Sequence, residues 1–350
     1  MNASGTTKPR QCTTPRGYTL VEVLVVLSIL SLMLAIIMPA VQAARESSRR
    51  MTCSNRLRQL GLACQSFITT HERFPPYWHL PPLPRYPVGA GCIPGTHASL
   101  LNDLGLATLS NQLDWDAVGG RPLDQPPQAL WPGEAWKTPV PDFVCPSDNA
   151  PSGGNNFRAS HGTTPLERAT WFPGKGPRPV DMSNESLWGI LLSSARPSQV
   201  TDGLSMTVLY SERIVGDGDP TRYSPGRDVA NLHSPALGYR WPNSALIACA
   251  AVADPAETFS FSGWTWALND IIHMGFNHVT TPNSRIPDCS EGSSITSGSG
   301  SYGARSWHPG GVNVVMADGA TRFVSDHIDL KVWRALGSYY GAEILSATDF

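Results

Sequence analysis

The 350-residue chain lacks the short motifs by which several large enzyme classes are recognised. No stretch reads as the G-x-S-x-G elbow of serine hydrolases, the H-E-x-x-H helix of zinc proteases or the P-loop of nucleotide hydrolases. No two cysteines are spaced as C-x-x-C, which argues against a zinc knuckle and against a thioredoxin-like redox site. We therefore expect a protein that is not an enzyme. This expectation concerns the known motifs, since a catalytic site that arose by convergence leaves no linear motif.

Charge is missing from a long stretch near the N-terminus. No residue between Glu22 and Arg45 is charged, and residues 23–44 are long and apolar enough to cross a bilayer, which takes about 20 residues in a helix. Residues 1–17 carry three basic side chains and no acidic one, which predicts that they stay on the cytoplasmic side. A lone carboxylate at the mouth of such a span is costly and indicates a function.

A basic patch of the kind that binds nucleic acid is also missing. The basic residues that cluster do so directly after the apolar span, as expected for a helix that faces lipid headgroups. They are Arg45, Arg49, Arg50, Arg56 and Arg58. We expect no nucleic-acid partner.

Residues 16–22 read Arg-Gly-Tyr-Thr-Leu-Val-Glu. With the apolar span that follows, they resemble the class III signal of bacterial type IV pilins and type II secretion pseudopilins. The resemblance implies that a prepilin peptidase cuts after Gly17 and that Tyr18, where Phe is usual, becomes the methylated N-terminus. It also implies that Glu22 pairs with the amino terminus of a neighbouring subunit to set the filament register, and that Pro39 matches a helix-kinking proline.

An ordinary signal peptide is the alternative for the same segment. Val41-Gln42-Ala43 offers a small-residue cleavage site after the apolar core. It leaves Gly17 and Glu22 without a role, so we favour pilin-type processing. The domains expected are then a leader (1–17), a transmembrane or filament-core helix (18–44), an amphipathic stalk helix (45–74) and a globular head (75–350).

Seven cysteines are an odd number for an exported protein. Cys12 lies in the leader, so cleavage would leave six. These are Cys53, Cys64, Cys92, Cys145, Cys249 and Cys289. We expect at least one disulfide among them in an oxidising compartment, with the pairing left open and buried free thiols as the alternative.

Helical periodicity continues beyond the span. Leu57, Leu60, Cys64 and Phe67 recur on one face, which predicts a single helix from about residue 18 to residue 70 that packs its second half on the head. Phe74-Pro75-Pro76 ends it. Prolines mark 75–87 and 122–141 as loops, and a short helix is expected within 98–113.

Strands are indicated mainly in the second half of the head. Residues 205–215 predict one strand, 264–268 a weaker one, and 290–301 a Ser/Gly loop. Strands over 312–317 and 320–324 flank Asp318-Gly319, which predicts a hairpin with a two-residue turn. A short helix over 326–336 follows. The expected fold class is α+β, with a long pilin-type helix packed on a strand- and loop-rich head.

The head resembles the bacterial pilin-like family that carries a domain of unknown function, DUF1559. The resemblance rests on a His-x9-Asp-Gly pattern at residues 308–319 and on three further stretches, at 53–63, 143–148 and 200–212, which together with the leader span the chain. Met206 and Arg56 stand where this family commonly has Asn. The residues that match the family pattern are Cys53, Cys145, Asp148, Asp202, Gly203, Glu212, His308, Asn313, Asp318 and Gly319.

Two interpretations of the pattern remain open. His308 and Asp318, with Asp148 or Glu212, could form a metal or catalytic site, since imidazole and carboxylates bind zinc. Alternatively, Asp318-Gly319 is only the hairpin turn and His308 bonds to nearby backbone, which we favour. Asp217 and Asp219 are weak candidates for calcium, which some pseudopilins hold in the head; otherwise no metal or cofactor is expected.

Three functions are consistent with these features. The first is a structural subunit in the inner membrane, processed by a prepilin peptidase and assembled with other pilin-like subunits into a pilus-like or secretion-type filament. The second is a membrane-anchored adhesive or binding protein that does not polymerise, for which tryptophans in loop-like sequence would supply contacts. The third is a tethered hydrolase of unrecognised type. In the first case the leader is cytoplasmic, and the head is periplasmic or displayed outside the cell.

Overall fold

The structure is a computed structural model of the chain. It describes the following residues: 18–76, 95–113, 115, 134–151, 153–163, 171–172, 176–177, 194–232, 242–252, 255, 257–267, 271–291, 300–341 and 345. These residues form two units, one that ends at Ser48 and one that begins at Arg49.

The first helix, α1, runs over Leu20–His71 and is 52 residues long. It begins in a capping box: the amide and the hydroxyl of Thr19 donate to the Glu22 carboxylate at 2.8 and 2.9 Å, and the Glu22 amide donates to the Thr19 hydroxyl at 3.3 Å. Pro39 lies within the helix, which continues through it. In the described residues, α1 is the one helix long and apolar enough to cross a membrane.

The second half of α1 packs on the head. From Cys53 onward its buried side chains recur at helical spacing, as predicted. They are Cys53, Leu57, Leu60, Ala63, Cys64 and Phe67, with Gly61 buried among them. The helix ends before the buried Phe74, whose amide donates to the carbonyl of Ala195 at 2.9 Å.

The other described helices are short. They are α2 (Thr96–Ser99), α3 (Ala107–Gln112), α4 (Pro242–Ala250), α5 (Ile271–Met274) and α6 (Leu330–Ala335). The described strands are β1 (Phe157–Ser160), β2 (Trp171–Phe172), β3 (Gly176–Pro177), β4 (Val208–Glu212), β5 (Val229–Asn231), β6 (Glu257–Phe259), β7 (Gly275–Phe276), β8 (Asp288–Ser290), β9 (Gly300–Ser301), β10 (Gly311–Met316) and β11 (Thr321–Ser325). The fold class is α+β, as the sequence predicted.

A five-stranded sheet in the order β11-β10-β4-β1-β7 forms the centre of the head. Its pairs are antiparallel except for β1 with β7. Every residue of β1, β4 and β10 is buried. The second half of α1 packs on one set of their side chains, and α6 with its flanking residues packs on another. A second sheet, β6-β5-β8-β9, and the pair β2-β3 complete the described strands.

The predicted C-terminal hairpin is confirmed, but its turn is one residue longer than predicted. The amide of Met316 donates to the carbonyl of Ala320 at 2.8 Å, so three residues, 317–319, connect the strands. Gly319 has a φ of 84° and its amide donates to the carbonyl of Met316 at 2.9 Å. This is a type I turn followed by a glycine bulge, in which only the glycine needs a positive φ.

Other predicted elements fall into two groups. The strand over 205–215 is confirmed over Val208–Glu212, and the helix over 326–336 is confirmed over Leu330–Ala335, where the Asp329 carboxylate accepts from the amide of Lys331 at 2.7 Å. The strand predicted at 264–268 is wrong for the described residues 264–267, which form a bend. There the indole of Trp266 donates to the carbonyl of Thr138 at 2.8 Å.

The loop predictions fall largely on residues outside the description. In the part of 122–141 that the structure describes, a short 3-10 helix occupies Glu134–Lys137 and another begins at Pro141. The short helix expected within 98–113 is present as α3, and α2 precedes it at Thr96–Ser99. The Ser/Gly segment joins β8 to β9, and residues 292–299 between them lie outside the described residues.

Candidate functional site

The N-terminal site centres on Glu22. Gly17 lies outside the described residues, and Tyr18 is 88% exposed. Thr19 belongs to the processing pattern, and Thr-x-x-Glu at residues 19–22 is also a capping-box signature. The capping box uses one carboxylate oxygen of Glu22, Oε2, and leaves the charge of the group in place.

Apolar side chains are exposed along the whole segment that follows Glu22. From Leu20 to Val41 the large hydrophobic residues are 43–79% exposed. A surface of this kind is unstable in water and is normally covered by lipid or by other helices.

A second site lies inside the head, where four side chains from distant parts of the chain converge. Cys53 comes from α1, Cys145 follows the 3-10 helix Pro141–Phe143, Glu212 ends β4, and His308 precedes β10. One ligand atom from each lies within 4.8 Å of the others, and all four residues are buried. We call these four residues the sulfur-histidine cluster. The two cysteines are joined as a disulfide.

Hydrogen bonds fix the carboxylate of this cluster. Nε2 of His308 lies 3.2 Å from Oε1 of Glu212 and 3.5 Å from Sγ of Cys145. Asn313 donates to Glu212 twice, from its backbone amide to Oε2 at 2.8 Å and from its side-chain amide to Oε1 at 3.0 Å. The geometry is set by the sheet, because β10 pairs directly with β4.

A second disulfide joins Cys249 of α4 to Cys289 of β8. Cys64 is a buried free thiol, and burial raises its pKa to about 12, so it is unreactive at neutral pH. Cys12 and Cys92 lie outside the described residues.

Asp148 joins three segments of the head. Its Oδ2 accepts from the side chain of Asn156 at 2.7 Å and from the amide of Val215 at 2.8 Å. Its Oδ1 accepts from the indole of Trp307 at 3.0 Å and lies 3.5 Å from the Arg227 guanidinium. The described contacts give Asp148 a structural use in holding loops together.

Asp202 and Gly203 also serve the fold. Oδ2 of Asp202 accepts from the hydroxyl of Ser338 at 2.8 Å and from the amide of Gly341 at 2.7 Å, which ties the C-terminal segment to this turn. Gly203 has a φ of 96°, a conformation that favours glycine.

The structure does not bring Asp318 to His308. The two residues stand at opposite ends of β10, whose six residues at about 3.3 Å each separate them by roughly 20 Å. Asp318 accepts from the amide of Ala320 at 2.9 Å, as a turn residue does. His308 and Asp318 therefore do not share a site, and Asp318-Gly319 forms a turn as in the second interpretation. Nε2 of His308 contacts the side chains of Glu212 and Cys145, which that interpretation did not include.

The turn instead contacts α1. A Cβ placed on Gly61 would lie 3.0 Å from the carbonyl oxygen of Gly319, so the helix and the turn approach as closely as two glycines allow. Beside them the side chain of Gln65 donates to the carbonyl of Ala317 at 2.8 Å.

Two arginines of the basic cluster on α1 also contact the head. Arg50 stacks 3.4 Å from the centroid of the Phe323 ring, and Arg56 donates to the carbonyl of Val144.

The two aspartates weighed for calcium are used in loop hydrogen bonds. Oδ1 of Asp217 accepts from the amide of Asp219 at 3.0 Å, and Oδ1 of Asp219 accepts from the amide of Thr221 at 2.9 Å. Within the described part of the chain, the sulfur-histidine cluster is the single group of three or more His, Cys, Asp or Glu side chains close enough to share a metal ion.

A buried ion network was missed by sequence reasoning. Asp288 lies between Arg213 and Arg305, each 2.9 Å away, and all three are almost fully buried. Burial raises the pKa of Asp288, but the two guanidinium groups outweigh this effect and hold that pKa below its ordinary value. No local pattern signals the network, because its members come from three separate segments.

The tryptophans in loop-like sequence were candidates for binding a partner. Those whose side chains the structure describes pack in the core. Trp136 is 1% exposed, and its ring packs against the rings of Trp115 and Trp266. Trp78 and Trp131 lie outside the described residues, and the side chain of Trp171 is not described.

Comparison with known proteins agrees with both parts of the chain. A family described as a protein of unknown function, DUF1559, matches residues 42–331. A prokaryotic N-terminal methylation motif matches residues 14–38. No curated protein and no solved structure matches the chain.

Proposed function

Since the chain belongs to the DUF1559 family and carries a prokaryotic N-terminal methylation motif, we propose that it is a filament-forming pilin-like subunit. A prepilin peptidase cleaves it after Gly17 and methylates Tyr18. The apolar half of α1 holds it in the inner membrane until it joins other pilin-like subunits in a pilus-like or secretion-type filament. Its head lies on the periplasmic side or on the filament surface.

The observation that carries this proposal is the exposed apolar surface of α1. Side chains from Leu20 to Val41 that are about half exposed or more have no covering partner within their own unit. Lipid covers them in the membrane, and the corresponding helices of neighbouring subunits would cover them in a filament. The same surface therefore serves first as the anchor and then as the assembly interface.

The charge of Glu22 favours packing of the helix in a filament over its remaining surrounded by lipid. The Thr19 hydrogen bonds satisfy part of the carboxylate but leave a negative charge beside an apolar surface. A charge in that position is stabilised if a positive group approaches it. After cleavage, the amino terminus of a neighbouring subunit supplies such a group.

The head is fixed to the second half of α1 by several independent contacts. They are the Cys53–Cys145 disulfide, the close approach of Gly61 to Gly319, and the stacking of Arg50 on Phe323. Residues of the family pattern thus hold the head to the second half of α1. When α1 packs in a filament, the head would therefore be carried on it in a fixed position.

Two measurements test the proposal. Intact mass of the protein purified from its membrane fraction should correspond to a chain that begins at Tyr18 and carries one added methyl group. Glu22→Gln keeps an oxygen that can accept from Thr19 but removes the charge, so the variant should insert and be cleaved as the wild type and fail to assemble. Glu46→Gln, in the same helix beyond the apolar span, is the matched control and should assemble.

Each measurement has a clear contrary result. A mature chain that starts near Arg45 would mean an ordinary signal peptide and a soluble head. Full processing with normal assembly of the Glu22→Gln variant would remove the charge from the assembly mechanism. If the wild type is processed but does not polymerise under any condition, the anchored binding protein becomes the better description.

A further inference from the structure

We propose that the sulfur-histidine cluster is a binding site for a borderline-soft divalent cation such as Zn²⁺ in the dithiol form of the protein. Cys53, Cys145, His308 and Glu212 are its four ligands. The metal ion and the Cys53–Cys145 disulfide exclude each other, since a sulfur in a disulfide is not available as a thiolate.

The positions of the non-sulfur ligands already suit a tetrahedral site. Zinc bonds of 2.0–2.3 Å place neighbouring ligand atoms about 3.3–3.8 Å apart. Nε2 of His308 lies 3.2 Å from Oε1 of Glu212 and 3.5 Å from Sγ of Cys145. The four ligand atoms lie within 4.8 Å of one another, and reduction of the disulfide frees both sulfurs to move to metal-binding distances.

The chemistry of the ligands selects the type of metal. Two thiolates and one imidazole favour zinc or another borderline-soft ion over calcium and magnesium, which prefer oxygen. With an ionised Glu212 the ligands carry three negative charges against the two positive charges of the ion. The guanidinium of Arg56, which donates to the carbonyl of Val144 next to Cys145, brings one positive charge to this segment.

The carboxylate ligand is oriented by its own partners, as in established metal sites. Asn313 donates to both oxygens of Glu212, at 2.8 and 3.0 Å. The backbone amide of His308 donates to the hydroxyl of Ser306 at 3.1 Å, which fixes the start of the turn that carries the imidazole. These contacts hold two ligands in place whether or not a metal ion is bound.

Exchange of the metal ion for the disulfide is a balanced two-electron step. The two metal-bound thiolates lose one electron each and form the Cys53–Cys145 bond, and the ion leaves as M²⁺. A small-molecule disulfide in the oxidising compartment takes up the two electrons and is released as two thiolates. The newly made chain starts in the dithiol state, the state in which both sulfurs can bind the metal ion.

The other disulfide provides an internal comparison. Cys249 and Cys289 are both buried, like the cysteines of the cluster. No histidine or carboxylate of the described residues completes a metal-binding group with them. If any buried cysteine pair could bind the metal ion, binding would be seen at both pairs. If binding also needs His308 and Glu212, it would be seen only at Cys53 and Cys145.

The test uses the full-length protein in detergent, reduced with a phosphine, stripped of metal and titrated with Co²⁺ as a spectroscopic probe. The reduced wild type should bind one Co²⁺ per chain with a thiolate charge-transfer band and tetrahedral visible bands, and the oxidised protein should show neither. The variant C53S/C145S should lose the band, while C249S/C289S should keep it. Asn313→Ala should weaken Co²⁺ binding by about 10- to 100-fold.

Several results would overturn the proposal. They are the absence of a thiolate band in the reduced wild type, persistence of the band in C53S/C145S, and equal loss of the band in both double variants.

A second measurement uses the wild type alone and so avoids variants that do not fold. In the reduced wild type, Zn²⁺ should slow alkylation of Cys53 and Cys145, read by peptide mass spectrometry, and leave alkylation of Cys249 and Cys289 unchanged; equal rates at both pairs would count against a site.

Discussion

Nε2 of His308 lies 3.2 Å from Oε1 of Glu212, and both residues are at most 2% exposed. The same carboxylate accepts two hydrogen bonds from Asn313 on β10. One buried carboxylate therefore joins the end of β4, the beginning of β10 and the segment before it. Such a group stabilises the fold only while all of its partners are present.

Glu212→Ala should destabilise the head strongly. It leaves the amide groups of Asn313 without an acceptor in the interior, and removal of one member of a buried pair costs about 3 kcal/mol or more. Urea unfolding of the full-length protein in detergent, followed by tryptophan fluorescence, measures the change. Glu134→Ala is the matched control: its side chain is 88% exposed and pairs with Lys137 at the surface, so the loss should stay below about 1 kcal/mol. Equal effects of the two substitutions would contradict the role given to Glu212.

Gly61→Ala should destabilise the head although alanine is the better helix former. The helix propensity of alanine favours the variant by about 1 kcal/mol. The added Cβ would lie 3.0 Å from the carbonyl oxygen of Gly319 and 3.1 Å from Val315, contacts that force the turn away from the helix. We expect a net loss of about 1–2 kcal/mol in the free energy of unfolding. Ser66→Ala, on the exposed face of the same helix, should be neutral or slightly stabilising, and a stabilised Gly61→Ala variant would refute the close approach.

The disulfide that closes the longer loop should stabilise the protein more. The loop model gives about 4.6 kcal/mol for Cys53–Cys145, whose cysteines are 92 residues apart. It gives about 3.9 kcal/mol for Cys249–Cys289, with a separation of 40 residues. Metal-free denaturant unfolding of C53S/C145S and C249S/C289S should therefore show the larger loss in the first. The reverse order would show that the native contacts around each bridge outweigh loop entropy.

Local sequence patterns predicted the parts of the fold that depend on neighbours in the chain. The apolar span and the helical periodicity after it predicted α1 and the face of its second half that packs on the head. Asp318-Gly319 predicted the hairpin, and the error of one residue arose because a glycine at a positive φ fits both a two-residue turn and a three-residue turn.

The interior sites could not be predicted in this way. Glu212 and Asn313 are 101 residues apart and meet because β10 lies beside β4, a strand order that no local pattern records. The aromatic run at 264–268 has strand propensity, yet Trp266 is held in a bend by a buried core and by its bond to Thr138. Tertiary packing overrides propensity at this position.

The pH dependence of stability should distinguish two aspartates of the same loop. Burial raises the pKa of Asp228 from 3.8 to about 6, with a smaller contribution from the charge of Asp217 that outweighs the opposing charge of Arg227. The stability that protonated Asp228 contributes is thus fully present below pH 3.8 and is lost as the pH rises through about 6. Asp228→Asn keeps an acceptor for the amide of Ser224 and cannot ionise, so the unfolding free energy of the wild type relative to this variant should fall as the pH rises from about 4 to about 6.

The stability contributed by Asp219 should change with pH in the opposite direction, because hydrogen bonds from Thr221 lower the pKa of Asp219. The wild type should therefore lose stability relative to Asp219→Asn as the pH falls through that lowered pKa. Denaturant unfolding of both variants, from above pH 6 to below pH 3.8, measures the two slopes, and slopes of the same sign would contradict the burial of Asp228.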